Sequence, residues 1–165
     1  MANNIYLSEA AVKVFKSSAG DVVWTPTSVA AGNGRISDVL DLGAAPRPFE
    51  FNWRLKTKFV SATVGHAVRL YLVELETNAV TYQDGGGGLG TADATLTSES
   101  LLLYGGKQIG PTVVQHTTNA NGWSGICRIH SRYVQVALWN GTAVALSGTA
   151  SDHEFRLTPI FRQVQ

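Results

Sequence analysis

The 165-residue chain has a single cysteine, Cys127. No intrachain disulfide can form, and a small stapled secreted scaffold is excluded. Charge is scarce: 15% of residues are charged, against about a quarter in ordinary soluble domains. Neither sign prevails, since 13 Lys and Arg face 12 acids for a formal net charge of +1. Nucleic-acid binding draws on a basic surface, and this balance offers no case for it. Long apolar runs are missing too; nothing approaches the ~20 residues a membrane-spanning helix needs. The first ten residues have neither the basic start nor the apolar stretch of an export signal. The expectation is a chain folded in a reducing cytoplasm, without export and without a membrane partner.

What is present is apolar residue in short pieces, 44% of the chain, enough for one domain with a sizeable core. The clearest signal runs from Phe49 to Val60. Phe49, Phe51, Trp53, Leu55, Thr57 and Phe59 fall on one face, and Glu50, Asn52, Arg54, Lys56 and Lys58 on the other. A period of two over this length predicts a strand, because a helix would scatter the rings around its circumference. A slip of one residue would expose them all, so the register is predicted to be tightly held.

Other segments read the same way. Arg35 to Leu42 is expected as a strand with Ile36, Leu40 and Leu42 on one side. Ala67 to Glu76 is a second long strand, with a mixed second face that suggests a central position. Ile109 to Gln115 follows, then Trp123 to Ile129 and Arg132 to Trp139 as a candidate pair. Glu154 to Ile160 is the last, with Phe155 and Leu157 inward. Asn33-Gly34 and Asn140-Gly141 are turn signals. Ala92 to Leu103 allows one or two helical turns. Seven to nine strands without a long helical period predict an all-β fold, an antiparallel β-sandwich of jelly-roll type. Residues 25–165 form that single sandwich, and residues 1–24 are an extended N-terminal arm or short strands packed on it.

Several stretches carry chemical residue types without the geometry chemistry needs. Gly85 to Gly90 fits the dinucleotide-binding spacing of glycines, but that loop works only between a strand and a helix in a parallel setting. A flexible hairpin tip is the better reading. Ser151-Asp152-His153 holds the residue types of a hydrolase triad, yet neighbours along a chain point in different directions. The histidines His66, His116, His130 and His153 lack metal-ligand spacing. Asp84 and Asp93 flank the glycine loop without the alternating oxygen ligands of a calcium loop. Arg54, Lys56 and Lys58 make a basic row, read as a solvated sheet face beside Glu50. Trp139 lies opposite Val134, Val136 and Leu138, and so covers the sheet's outer face or meets a partner. No catalytic residue, no metal and no cofactor is expected, and the chain is expected not to be an enzyme.

A set of stretches, in order, is similar to small virion structural proteins of tailed bacteriophages. They include Gly32-Asn33-Gly34-Arg35, Phe51-Asn52-Trp53-Arg54-Leu55-Lys56, Val68-Arg69-Leu70-Tyr71-Leu72, Ile129-His130-Ser131-Arg132-Tyr133-Val134, and Ser151 to Ile160. The resemblance spans residues 20–165. It implies a component of the virion, assembled in the host cytoplasm, and within it a capsid decoration (cement) protein. Its expected partners are the major capsid protein and copies of itself, as a trimer or dimer. The interface would use the N-terminal pieces (Ile5, Tyr6, Leu7, Val12, Val14, Phe15), the glycine tip with Leu89 (Gly86, Gly87, Leu89) and Trp139, with the arm added to a neighbour's sheet edge. The alternative is a tail or fibre module that binds host-surface carbohydrate or joins tail components.

Overall fold

The computed structural model describes residues 5–9, 11–45, 47–78 and 89–164. In chain order the strands are β1 (Ile5–Glu9), β2 (Lys13–Lys16), β3 (Val22–Val23), β4 (Gly34–Ile36), β5 (Leu40–Asp41), β6 (Glu50–Thr57), β7 (Ala67–Leu75) and β8 (Ala94–Leu96). A short helix, α1 (Ser100–Gly105), follows. Then come β9 (Gly106–Val113), β10 (Asn121–Arg128), β11 (Tyr133–Asn140) and β12 (Glu154–Val164).

The strands form two sheets packed face to face, the jelly-roll-like sandwich that the alternating pattern predicts. Sheet A runs β10-β6-β12-β2-β3, with β1 taking the remaining length of β12. Sheet B runs β8-β4-β11-β7-β9, with β5 continuing beside β11. All pairs are antiparallel except β2 with β3. The chain crosses between sheets at β3–β4, β5–β6, β6–β7, β9–β10, β10–β11 and β11–β12. That corrects the expected pairing of the segments now seen as β10 and β11. Residues 129–132 carry the chain from one sheet to the other, and Glu74 at the end of β7 accepts the backbone N–H groups of His130 (2.7 Å) and Ser131 (2.8 Å) there.

The main core lies between the sheets. From sheet A it takes Phe51, Trp53, Leu55, Phe155, Leu157 and Phe15; from sheet B, Val68, Leu70, Leu72, Val134, Val136 and Leu138. The alternation in β6 is therefore the inward-outward alternation of a strand in a half-covered sheet. It holds for Phe51, Trp53, Leu55 and Thr57 but not for Phe49, which precedes the strand and is 46% exposed. Trp53 fits because its neighbour across the ladder is Gly125: a Cβ there would come within 2.8 Å of the indole.

A second apolar cluster covers the outer face of sheet B. Ile36, Tyr71, Val73, Leu75, Ala137 and Trp139 point away from the main core, and Leu89, Leu96 and Leu102 close over them. This explains the mixed second face of β7, which lies between β11 and β9 with both surfaces buried. The expected strand Arg35 to Leu42 is broken in two. Ile36 pairs with Ala137 and Leu40 with Val134. The extra residue on the β4–β5 side turns Ile36 outward and Leu40 inward, as a bulge does.

Candidate functional site

The N-terminal pieces lie within sheet A. β1 pairs along Ile160 to Val164, and β2 pairs with Leu157 to Phe155. Phe15 is fully buried and meets Phe155 edge to face, with ring centroids 5.4 Å apart. Trp139, 8% exposed, and Leu89 are buried in the outer cluster of sheet B. Phe15, Leu89 and Trp139 are thus core residues, a correction to their reading as interface: Phe15 is enclosed between the two sheets, and Leu89 and Trp139 lie in the cluster on the outer face of sheet B. Val12 is exposed and Val14 half-buried. The backbones of Ile5, Tyr6 and Leu7 are placed by pairing with β12. Gly86 and Gly87, with Asp84, fall outside the described residues.

The triad-like trio holds the structure together. His153 is buried, with Nδ1 2.6 Å from the Thr57 hydroxyl and Nε2 2.9 Å from the carbonyl of Ser147. A carbonyl only accepts, so Nε2 carries the proton and Nδ1 accepts from Thr57. Burial pushes the imidazole pKa down, against the opposing pull of Ser147 and Asp152. Asp152 accepts from the Ser147 hydroxyl at 2.6 Å, and the Ser151 carbonyl accepts from Lys56 at 2.9 Å. Cys127 is buried, and burial pushes its thiol pKa up to about 12. Among the described residues no three His, Cys, Asp or Glu side chains gather as metal ligands.

The two outer sheet faces differ. That of sheet B is covered by residues 89–105; among the described residues none covers that of sheet A. Its central row crosses four strands as Ser124, Arg54, Arg156 and Val14. The adjacent row is Ile126, Asn52 and Thr158, and the next is Gly122, Lys56 and Glu154. Val12, Asn52, Arg54, Ser124, Arg156 and Thr158 line a concavity of about 500 Å³. Arg54 and Arg156 are cross-strand partners, both exposed. Arg156 has a carboxylate beside it, Glu154 at 2.5 Å. Arg54 has none among the described residues. At the rim Arg128 pairs with Glu50 at 3.1 Å.

Arg54 and Lys56 of the basic row belong to this face. Lys58 lies beyond the strand, 3.7 Å from Asp152. The residues that sequence reasoning did not single out are Arg156, Thr158 and Ser124. Their outward direction is legible in the alternation Glu154-Phe155-Arg156-Leu157-Thr158. Their position beside Arg54 depends on the β6–β12 register, which no local pattern reports. Trp123 is half-buried and donates its indole N–H to the Val113 carbonyl at 2.9 Å.

No family model matches the chain, and no curated protein matches its sequence. Among solved structures it is similar to murine APRIL, with 10% identity, a TM-score of 0.42, and 96% of this chain and 99% of that chain covered. It is similar to the sugar-binding C-terminal domain of EclA at 13% identity and a TM-score of 0.36, covering 96% and 82%. A domain of bacteriophage CBA120 tailspike protein 4 matches at 11% identity and a TM-score of 0.27, with 98% of this chain but 19% of that one covered.

Proposed function

We propose that this chain is a non-enzymatic component of a tailed-phage particle that binds surface carbohydrate through the outer face of sheet A. The observation that carries the reading is the open, polar concavity on that face. Side chains of Asn52, Ser124 and Thr158 bring amide and hydroxyl groups, and the two arginines bring fixed donors, to one rigid four-stranded surface. Sugars are bound by such clusters of directed hydrogen bonds on a preformed surface. The place in a phage particle rests on the sequence resemblance. Binding of the purified protein to an oligosaccharide array tests the reading. Binding is expected, and it should fall at least tenfold in Asn52→Ala and Thr158→Ala, with the fold intact by circular dichroism. Absence of binding to any glycan rejects it.

A capsid decoration role draws on a different surface. On α1, Leu103 is 65% and Tyr104 76% exposed, an apolar pair suited to a protein contact. Cosedimentation with capsids that lack this protein tests that role. Association that Leu103→Asp and Tyr104→Asp abolish supports it, and no association rejects it.

A further inference from the structure

We infer that the carbohydrate bound on sheet A is acidic, and that its carboxylate sits between the Arg54 and Arg156 guanidinium groups. This rests on the carbohydrate reading above and deepens it.

Two arginines directly opposite each other on one face of an antiparallel pair repel. On this face neither is buried, and the repulsion could be relieved by a carboxylate on each. Arg156 has Glu154 at 2.5 Å; Arg54 has no such partner among the described residues. Among residues whose side chains are described, outward positions of β6, β10 and β12 hold four cations (Arg54, Lys56, Arg128, Arg156) against two carboxylates (Glu50, Glu154). The chain as a whole is near neutral, so this face concentrates positive charge.

The surroundings select the type of anion. Arginine presents a planar fork that matches a carboxylate through two parallel hydrogen bonds. Ser124 lies beside Arg54 in the central row, while Asn52 and Thr158 occupy the next row along the same strands. Those groups suit the hydroxyls of a sugar ring that carries the acid. Among the described residues the tryptophans of β6 and β10 offer no platform of the kind on which single-stranded nucleic acid stacks: Trp53 is packed in the core and Trp123 is tied to Val113. The face's exposed large apolar side chains among the described residues are Ile126 and, at the margin, Val12, whereas a protein interface centres on apolar and aromatic anchors.

The test is an array bearing uronic-acid and sialic-acid oligosaccharides, the same oligosaccharides with the carboxyl reduced to the alcohol, neutral oligosaccharides, and dextran sulfate as a plain polyanion. Binding confined to the carboxylate-bearing glycans is expected. It should weaken at least tenfold in Arg54→Gln and in Arg156→Gln, and weaken as salt is raised. Both side chains are exposed, so both variants should keep the wild-type melting transition. Equal binding of acidic and carboxyl-reduced glycans overturns the acidic assignment and leaves the carbohydrate reading standing. Equal binding of dextran sulfate overturns the carboxylate assignment in favour of a nonspecific polyanion surface. No glycan binding at all overturns both.

Discussion

At the scale of single residues, His153 shows how a chemically suggestive side chain is used for structure. Both ring nitrogens are occupied, one by the Thr57 hydroxyl and one by the Ser147 carbonyl. A proton added to Nδ1 would face a hydroxyl now donating to it, inside a buried site. The folded-state pKa is therefore depressed, with burial the main cause and Lys56 adding to it. The sign follows. Between the folded and unfolded pKa values the unfolded chain binds the extra proton, so stability rises with pH there. The contribution is complete above the ordinary histidine value of about 6.5 and is lost as pH falls from there toward the folded value. Wild-type protein should melt at progressively lower temperature from pH 7 down to pH 5, and His153→Gln should flatten that dependence. An equal slope in the variant would rule His153 out as its source. Thr57→Val leaves Nδ1 buried without a partner, at a cost of about 1–3 kcal/mol. The triad types in sequence announced none of this. Their spacing excluded a relay, but the bonding partners come from Thr57 on β6 and from the Ser147 loop.

At the scale of elements, the segment 89–105 decides which face of the sandwich is free. It is fastened at two points. Asp93 accepts from Arg35 Nε at 2.8 Å and from the Thr25 backbone at 3.1 Å, with the Thr25 hydroxyl also bonded to it. Burial pushes its carboxyl pKa up, but the bonds from Arg35 and Thr25 outweigh that and hold it below the usual carboxylate range. Glu99 pairs with Arg69 and accepts from the Tyr71 hydroxyl at 2.8 Å. Tyr71 is pushed up to about 12, first by burial and then by Glu99. Asp93→Ala should free the first fastening, at about 1–3 kcal/mol for a shielded charged hydrogen-bond partner. Dye binding to newly exposed apolar surface and faster hydrogen exchange across 89–96 should follow, with sheet pairing retained. Unchanged exchange in that segment would show that Leu89 and Leu96 hold it without the clamp.

The same element marks where the sequence was legible. Period-two alternation in β6, β7 and β12 located these strands and their inward faces, because burial on one side leaves a local imprint. The helix came through only as a weak possibility, since a helix of six residues carries little periodicity. Trp139 was read correctly as facing away from Val134, Val136 and Leu138. What covers it was invisible, because Leu89 and Leu102 arrive from a segment distant in sequence. The binding face was half legible for the same reason: Arg54 and Lys56 stood out, and their neighbour Arg156 depended on a long-range register.

At the scale of the whole molecule, residues 11–24 form part of the sandwich's wall. Phe15, Val22 and Trp24 are buried in the main core, and β2 occupies the edge of β12 that β6 does not. Asp21 returns two contacts to this turn: its carboxylate accepts the Val14 N–H at 2.8 Å, and its own N–H donates to the Val14 carbonyl at 2.8 Å. An arm that served only to reach a neighbour could be removed without unfolding the domain. Here removal strips β1, β2 and β3 from one edge of sheet A and opens the core beside Phe155. Phe15→Ala alone should cost about 3–5 kcal/mol, as loss of a fully buried aromatic does, which is a large part of a typical domain's stability of about 5–15 kcal/mol. Deletion of residues 1–24, which also removes Trp24, should therefore abolish the cooperative thermal transition and the dispersion of the amide NMR spectrum. A deletion variant that melted cooperatively near the wild-type temperature would show that residues 1–24 are an extended arm and not strands the domain needs. It would also free β12 for strand addition by another copy, so its oligomeric state, measured by sedimentation, would separate a stable monomer from one that completes its sheet with a neighbour.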